Sequence, residues 1–208
     1  MIITQLARTL GVPRWFLNIT AESKGEYWAP PQTVYVQLAD GRTKRNHDDL
    51  CTVPCDIDLV SVMLNPRIKW VLIVEKRTIF HAMQRRKVYQ DVGLFGGEGL
   101  LITAGGVPDY ATRLFIKRLA SAHPQVYVAC LTDGNAGGVQ VADCYRNSSA
   151  ETLQEDLACP AVDWIGLFPW GHSVKSKDRH TMDEKTAKIG EVPGEARLLN
   201  AANLENEY

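Results

Sequence analysis

Short apolar runs alternate with amphipathic segments through the middle of the chain. Four nearly continuous apolar stretches have the pattern of buried strands: "WVLIVE" at 70–75, "LLIT" at 100–103, "VYVACL" at 126–131 and "VDWIGL" at 162–167. The segments between them have helical character, at 78–91, 109–121 and 138–146. Strands that alternate with helices predict an α/β fold, with a parallel sheet and helices on its faces.

Two helix starts carry recognisable signals. Thr78 is the expected N-cap of the first of these helices. Asp109 follows Pro108 and opens the second helix, with Arg113 one turn further on, where an acid on the N-terminal side favours an ion pair. Arg113 therefore has two predicted roles, this pair or a contact with a ligand.

The N-terminal region has a different pattern. Ile3, Leu6, Ala7 and Leu10 fall at helical spacing, and a break at 11–13 separates this helix from a second short one. The segment "TVYVQLADGRT" at 33–43 alternates and then turns, which predicts a β-hairpin. Two helices followed by a hairpin suggest the tail of a winged helix.

The composition permits one α/β domain with a small appendage. The chain has 208 residues, 45% hydrophobic, and a formal net charge of -1. No apolar run reaches membrane-spanning length and the first residues lack the form of a secretion signal, so we expect an intracellular protein without a membrane partner. The segment 67–88 carries seven basic residues and one acid. It predicts either a phosphate-binding face or simply a solvated helix face.

Three oxygen-bearing side chains follow predicted strands. Glu75 ends the first strand, Asp133 follows the third, and Asn135 lies two residues further on. Ligands of open parallel sheets bind beyond the carboxyl ends of the strands, and hard oxygen ligands suit Mg²⁺. The glycines of "TDGNAGG" at 132–138 would let the backbone approach an ion or a phosphate. The alternative is that Asp133 and Asn135 only form a turn and cap a helix.

Other site motifs fit less well. The chain has no Walker phosphate loop and no strand–GxGxxG–helix order. A calcium loop beginning at Asp133 would need an acid where Cys144 stands. His47, Cys51 and Cys55 have the spacing of three zinc ligands, but no paired fourth ligand accompanies them.

The ordered motifs together resemble a known family. "VLIVEK", "LLITAGGVPDYATRLFIKRL", "VACLTDGNAGGVQV" and "VDWIGL" resemble the Toprim domain found in the A-type chain of topoisomerase VI and in its eukaryotic relatives, the meiotic double-strand-break transesterases. The matching positions are Glu75, Lys76, Gly106, Pro108, Asp109, Thr112, Arg113, Asp133, Asn135 and a glycine at 137 or 138. "LARTLGVPRWFLNITAESKG" resembles the family's link out of its winged-helix domain, including the Lys24-Gly25 pair, and the similarity covers roughly residues 5–170.

The resemblance implies an organisation and a cellular setting. Residues 1–45 would be the remnant of a winged-helix DNA-binding domain, 46–175 a Toprim domain with a Rossmann-like parallel sheet, and 176–208 a polar tail expected to contain a helix or two. The expected setting is the nucleus. The expected partners are double-stranded DNA, a second copy in a homodimer, and a B-type ATPase subunit.

The resemblance also implies site residues and a reaction. Glu75, Asp133 and Asn135 would bind Mg²⁺, and Lys76 and Arg113, with Lys24 as a weaker candidate, would contact DNA. In the family, a tyrosine attacks a DNA phosphodiester and becomes linked to the 5′ end. The tyrosine and the Toprim acids come from different protomers of a dimer.

Two departures from the family pattern affect this expectation. Asn135 stands where the family has a second Asp, and an amide brings no charge to a metal. The upstream half of the winged-helix domain, which carries the nucleophilic tyrosine, has no match here. The seven tyrosines lie in other contexts: Tyr27, Tyr35, Tyr89, Tyr110, Tyr127, Tyr145 and Tyr208.

The chain alone is therefore expected to be inactive, as a fragment, a truncated product or a divergent relative. One alternative is a non-cleaving DNA-binding or assembly module of the same fold. Another is an unrelated nucleotide-binding α/β protein, which rests only on the glycine-rich turns.

Overall fold

A six-stranded mixed sheet forms the centre of the fold. The structure is a computed structural model that describes residues 2–12, 14–17, 23–47, 50–55, 59–93, 95–147 and 157–166. The strands are β1 (Glu26–Trp28), β2 (Val34–Leu38), β3 (Thr43–Arg45), β4 (Cys51–Thr52), β5 (Leu59–Leu64), β6 (Ile68–Val74), β7 (Glu98–Thr103), β8 (Tyr127–Thr132) and β9 (Val162–Gly166). The α-helices are α1 (Ile2–Leu10), α2 (Arg77–Arg85), α3 (Tyr110–Ala122) and α4 (Ala136–Arg146).

The four strands predicted from the apolar runs are confirmed as β6, β7, β8 and β9. They are parallel neighbours in the order β7-β6-β8-β9, and α2, α3 and α4 follow β6, β7 and β8 along the chain. The sheet is not wholly parallel, because β1 adds to β7 and β4 adds to β1 in antiparallel fashion. The predicted α/β fold is therefore confirmed, with an antiparallel extension at one edge.

A second, three-stranded sheet has the order β3-β2-β5. The antiparallel pairing of β2 with β3 confirms the predicted hairpin with its turn at Asp40–Gly41. Val36 and Val62 of this sheet belong to the same buried cluster as Ile102 and Phe115. Residues on both sides of position 45 thus share one core, and the division into a winged-helix remnant and a Toprim domain stays a prediction.

Two of the predicted helices have different limits. α2 begins at Arg77 and ends at Arg85, so the helix expected over 78–91 is too long. Lys87 has a φ of 53°, and this left-handed turn leads into a short 3-10 helix that places Tyr89 in the core, 6.5 Å from the ring of Trp28. The predicted cap at Thr78 is wrong, because Lys76 occupies the N-cap position without a side-chain cap bond.

The starts of the other two helices follow their side-chain caps. The Asp109 side chain accepts a hydrogen bond from the Thr112 amide, which confirms the expected start of α3. α4 begins two residues before the predicted position, because Asn135 caps it.

Nothing among the helices of the described residues is both long and apolar enough to cross a bilayer. The predicted tail at 176–208 and the last part of the predicted Toprim domain, 167–175, lie outside the described residues.

Trp70 shows why β7 needs a glycine inside a strand. Its indole is buried and its Nε1 donates to the Gly97 carbonyl at 2.7 Å. A Cβ on Gly99 would lie 2.1 Å from the indole ring, so the ring occupies the space above Gly99. Since Trp70 is among the largest fully buried side chains, its position limits what β7 can carry at this point.

We predict that Gly99→Ala destabilises the fold by about 1 to 3 kcal/mol, because an added methyl group overpacks a filled core. Urea unfolding followed by tryptophan fluorescence measures the loss. Gly93→Ala is the matched control, since the new Cβ would meet only the Asp91 side chain at 3.2 Å on an exposed turn. Equal stability of the two variants would contradict this account of the Trp70 site.

Candidate functional site

Three chain segments with polar side chains meet at the carboxyl edge of the parallel strands. Glu75 follows β6 and Asp133 follows β8, and these two strands are neighbours in the sheet. β1 runs in the opposite direction, with Glu26 opposite Thr103, so Lys24 just before β1 lies beyond the carboxyl end of β7. The topology therefore brings Lys24, Glu75 and Asp133 to one edge.

Glu75 and Asp133 are in direct contact, although 58 residues separate them. The Glu75 carboxylate accepts a hydrogen bond from the Asp133 amide at 2.9 Å, and the Glu75 amide donates to the Leu131 carbonyl at 3.0 Å. The two residues thus lie at one edge as expected, in contact through the Glu75 side chain and the Asp133 backbone. Two carboxylates from adjacent strand ends fit the small ligand set that Mg²⁺ takes from proteins.

Lys76 forms an ion pair with one of these carboxylates. Its Nζ lies 2.8 Å from Asp133 Oδ2, with 55% of the Lys76 side chain and 34% of the Asp133 side chain exposed. The hydrogen bond to Asp133, with the charges of Asp133 and Glu75, raises the pKa of Lys76 above its ordinary value. The lysine is therefore held in its charged form at this edge.

Asn135 caps α4. Its Oδ1 accepts a hydrogen bond from the Gly138 amide at 2.9 Å, and its own backbone is extended, as N-cap residues require. The helix cap that the alternative assigned to this turn is therefore present, and the metal-binding role of Asp133 and Asn135 stays a prediction. The cap occupies one side of the amide oxygen that a metal would use.

The close contact of Gly138 with Asp133 accounts for one glycine of the turn. A Cβ at Gly138 would lie 2.0 Å from the Asp133 carbonyl oxygen, which is backbone and cannot yield. A Cβ at Gly137 would meet only the Asn135 side chain, at 3.1 Å. The turn geometry therefore requires glycine at 138, whereas the sequence left 137 and 138 as equal candidates.

Trp164 supports the turn from β9. Its Nε1 donates to Thr132 Oγ1 at 2.7 Å, directly before Asp133. Sequence reasoning missed this residue, because only the pairing of β8 with β9, in which Thr132 lies opposite Gly166, brings the two close together.

Asp109 joins two motifs that are 85 residues apart. Its carboxylate accepts from the Thr112 amide at 2.8 Å, the Thr112 hydroxyl at 2.9 Å and the Lys24 amide at 2.9 Å. A Cβ on Gly25 would lie 2.3 Å from the Thr112 hydroxyl oxygen. In the fold, the Lys24-Gly25 pair thus packs directly against Asp109 and Thr112.

Arg77 also contacts the segment that contains Lys24 and Glu26. Sequence reasoning missed this residue. Its Nη2 donates to the Lys24 carbonyl at 3.1 Å, and its Nε lies 3.4 Å from Glu26 Oε2. Its position in the basic segment 67–88, directly after Lys76, was the available signal. Arg77 therefore adds a further partly exposed cation to the carboxyl edge.

Arg113 lies inside the fold rather than at the exposed edge. Its side chain is only 8% exposed and its Nη2 donates to the Asn147 carbonyl at 3.0 Å. Burial lowers its pKa from the ordinary arginine value. The ion pair expected with Asp109 is not among the salt bridges of the described residues, since Asp109 binds Thr112 and Lys24 instead.

The zinc alternative receives no support. Within the described ranges, no group of three His, Cys, Asp or Glu side chains has the arrangement of a metal site. His47 is exposed, and Cys51 and Cys55 are free thiols.

Comparison with known proteins supports the resemblance drawn from the motifs. Residues 70–203 match the TOP6A-Spo11 Toprim family, the Toprim domain that Spo11 shares with the A-type chain of topoisomerase 6. Meiotic recombination protein W68 of Drosophila melanogaster is 33% identical over 120 residues, 57% of this chain and 35% of that protein. Meiotic recombination protein SPO11 of Homo sapiens is 28% identical over 180 residues, 81% of this chain and 41% of that protein.

One plant relative is a chain of DNA topoisomerase 6. The A3 chain of DNA topoisomerase 6 from Oryza sativa subsp. indica is 27% identical over 143 residues, which is 66% of this chain and 31% of that protein. The chain thus spans between 31% and 41% of the length of these three relatives. With a family match over most of its length and the sheet that the match implies, this chain belongs to the TOP6A-Spo11 family and contains its Toprim domain.

Proposed function

We propose that this chain is the Mg²⁺-dependent, DNA-binding domain of a type IIB topoisomerase-like transesterase that makes meiotic double-strand breaks. The observation that carries the proposal is the contact between Glu75 and Asp133 at the carboxyl edge, in a chain of this family. The names of its relatives, which are meiotic recombination proteins and a component of topoisomerase 6, support the reaction class.

Glu75 and Asp133 would bind the metal, with Asn135 as an auxiliary ligand, direct or through water. A bound Mg²⁺ would neutralise phosphate charge and position the DNA backbone for in-line displacement. The protein residues hold their own positions independently of an ion: Glu75 accepts from the Asp133 amide and Asn135 caps α4. Glu75 and Asn135 are therefore held at the ends of regular elements without an ion, which favours precise positioning of a ligand.

Lys76 and Lys24 would contact the phosphates of duplex DNA, and Arg77 extends the same edge. The proposal rests on their common position at the carboxyl edge and on the exposure of Lys24 and Lys76. Arg113, the other cation that the resemblance implies for DNA contact, has little exposed surface. Its contact with the Asn147 carbonyl favours a structural role, in which it ties α3 to the end of α4.

The organisation of the whole protein is part of the proposal. Residues 1–45 would be the end of a winged-helix domain, 46–175 the Toprim domain and 176–208 a polar tail. The protein would act in the nucleus as a homodimer with a B-type ATPase partner. Cleavage would require the tyrosine of the family's upstream winged-helix half, supplied by the other protomer, because none of the seven tyrosines here lies in that context. The family membership supports this arrangement.

A non-cleaving DNA-binding or assembly module of the same fold is the second candidate. Asn135 favours it, because this amide brings no charge to the metal and already caps a helix. Three of the seven tyrosines favour it as well, since Tyr27, Tyr89 and Tyr145 are buried. Burial also raises the pKa of Tyr145 well above its usual value, which makes it a poor nucleophile.

The first prediction concerns the metal ligands. Glu75→Gln keeps an acceptor for the Asp133 amide but removes a charge, so Mg²⁺ or Mn²⁺ affinity should fall by at least about tenfold. Asn135→Asp keeps a cap and adds a charge, so affinity should rise several-fold. Calorimetric titration measures both.

Glu98→Gln is the matched control, since Glu98 lies at the opposite end of β7. If Glu75→Gln binds as well as this control and Asn135→Asp changes nothing, the three side chains do not share an ion.

The second prediction concerns DNA. Phosphate contacts release counterions, so affinity for duplex DNA should fall steeply as salt rises. Lys24→Ala and Lys76→Ala together should lower the slope of log affinity against log salt by roughly 2. Fluorescence anisotropy at several salt concentrations gives this slope. Lys69→Ala is the control, because Lys69 is exposed near the start of β6, away from the carboxyl edge. An unchanged slope in the double variant would exclude these contacts.

The third prediction concerns covalent cleavage. The 208-residue chain, incubated with supercoiled plasmid and Mg²⁺ and then denatured with detergent, should leave no protein on 5′ ends. Transesterification needs a tyrosine positioned at the phosphate, and positioning supplies much of the rate. Gel mobility after protease treatment and mass spectrometry of the DNA ends provide the measurement. An adduct mapped to any of the seven tyrosines would refute the prediction.

A further inference from the structure

Lys76 and a divalent cation would compete for the same carboxylate. The ammonium lies 2.8 Å from Asp133 Oδ2, the oxygen of a proposed metal ligand. A metal ion bound by this oxygen and an ammonium in contact with it are like charges within a few ångströms, which repel strongly. The two cations therefore compete for Asp133 Oδ2, and each weakens the hold of the other on this carboxylate.

The surroundings of Lys76 allow its side chain to leave. The lysine occupies the N-cap position of α2 with an extended backbone, and its side chain makes no cap bond. More than half of the side chain is exposed. The pair with Asp133 can therefore break without disturbing α2, and an exposed pair of this kind is weak enough to break reversibly.

We propose that Lys76 is an internal counter-ion of the metal site: it holds Asp133 in the metal-free state, lowers the affinity for divalent cations, and is released towards DNA phosphate when a cation binds. This inference rests on the proposed function, since it requires that Glu75 and Asp133 bind a metal. It adds that Lys76 contacts either Asp133 or a DNA phosphate, but not both at once.

A coupling between the two ligands follows. A metal ion that displaces Lys76 adds a free positive charge to the DNA-binding edge, so metal binding should raise the affinity for DNA. DNA that captures Lys76 removes the competitor from Asp133, so by reciprocity it should raise the affinity for metal by the same factor.

The direct test is a metal titration of the full chain without DNA. Lys76→Met keeps the length of the side chain and removes its charge, so Mn²⁺ affinity should rise by roughly two- to fivefold, the range that loss of an exposed ion pair allows. Lys76→Arg retains the charge and should bind as weakly as the unaltered chain. Lys69→Met removes the same charge at a distant exposed position and should stay close to the unaltered value, because salt screens charges over that distance.

The outcomes separate the inference from the proposed function. Metal binding that is equal in the unaltered chain and in Lys76→Met overturns the inference and leaves the metal site intact. Absence of Mn²⁺ binding in both proteins overturns the inference and the proposed site together. Circular dichroism of each variant establishes that the fold is unchanged, so a loss of structure is not taken for a loss of binding.

DNA affinity with and without Mg²⁺, at fixed ionic strength, tests the coupling. The gain in DNA affinity on addition of Mg²⁺ should be clearly smaller in Lys76→Met than in Lys69→Met. An equal gain in the two variants would mean that Lys76 does not transmit metal binding to DNA, and would overturn that part of the proposal.

Discussion

The parallel pairing of β6 with β8 is the constraint on which the candidate site depends. It sets the ends of two strands side by side, so that the Glu75 carboxylate can accept a hydrogen bond from the Asp133 amide. The turn that follows has little freedom, because the Asp133 carbonyl oxygen approaches Gly138 so closely that no Cβ fits there. Helix α4 must then start immediately, and Asn135 is the residue in place to cap it. The ligand candidates are thus products of strand register and helix start, not of local loop sequence.

The sequence predicted those features in which local pattern and global fold agree. β6, β7 and β8 are mostly buried, and all four parallel strands are apolar almost throughout, so their composition reveals them. The start of α3 was visible because Asp109 is a strong N-cap residue. The antiparallel addition of β1 to β7 was not visible, because a three-residue strand has too short a pattern to reveal its partner. The end of α2 was also missed, because the left-handed turn at Lys87 serves the burial of Tyr89, a tertiary requirement.

The roles of the charged residues at the site were likewise not predictable from the sequence alone. Arg77 and Arg113 are equally cationic in the sequence, and only the fold distinguishes them. Arg113 faces inward from α3 and bonds to a carbonyl, whereas Arg77 lies at the carboxyl edge with Lys24 and Glu26. The family motif places an arginine after the Pro-Asp pair without saying whether its partner is protein or ligand. The fold favours a protein partner for Arg113, because the residue is buried and bonds to the Asn147 carbonyl at the end of α4.

Asn135 shows how one residue can serve stability and chemistry with different demands. Asn and Asp are about equally good N-caps, so the helix start alone does not select between them. A bound cation would select Asp over Asn. Without a positive charge between them, a second carboxylate at 135 and the Asp133 carboxylate repel each other. In this chain that positive charge is already supplied by Lys76, which pairs with Asp133 in the absence of metal. With Asn at 135, one ammonium partly offsets the two carboxylates Glu75 and Asp133, and the edge is stable as it stands. An Asp at 135 would leave an excess of negative charge that a divalent ion is better suited than a lysine to neutralise.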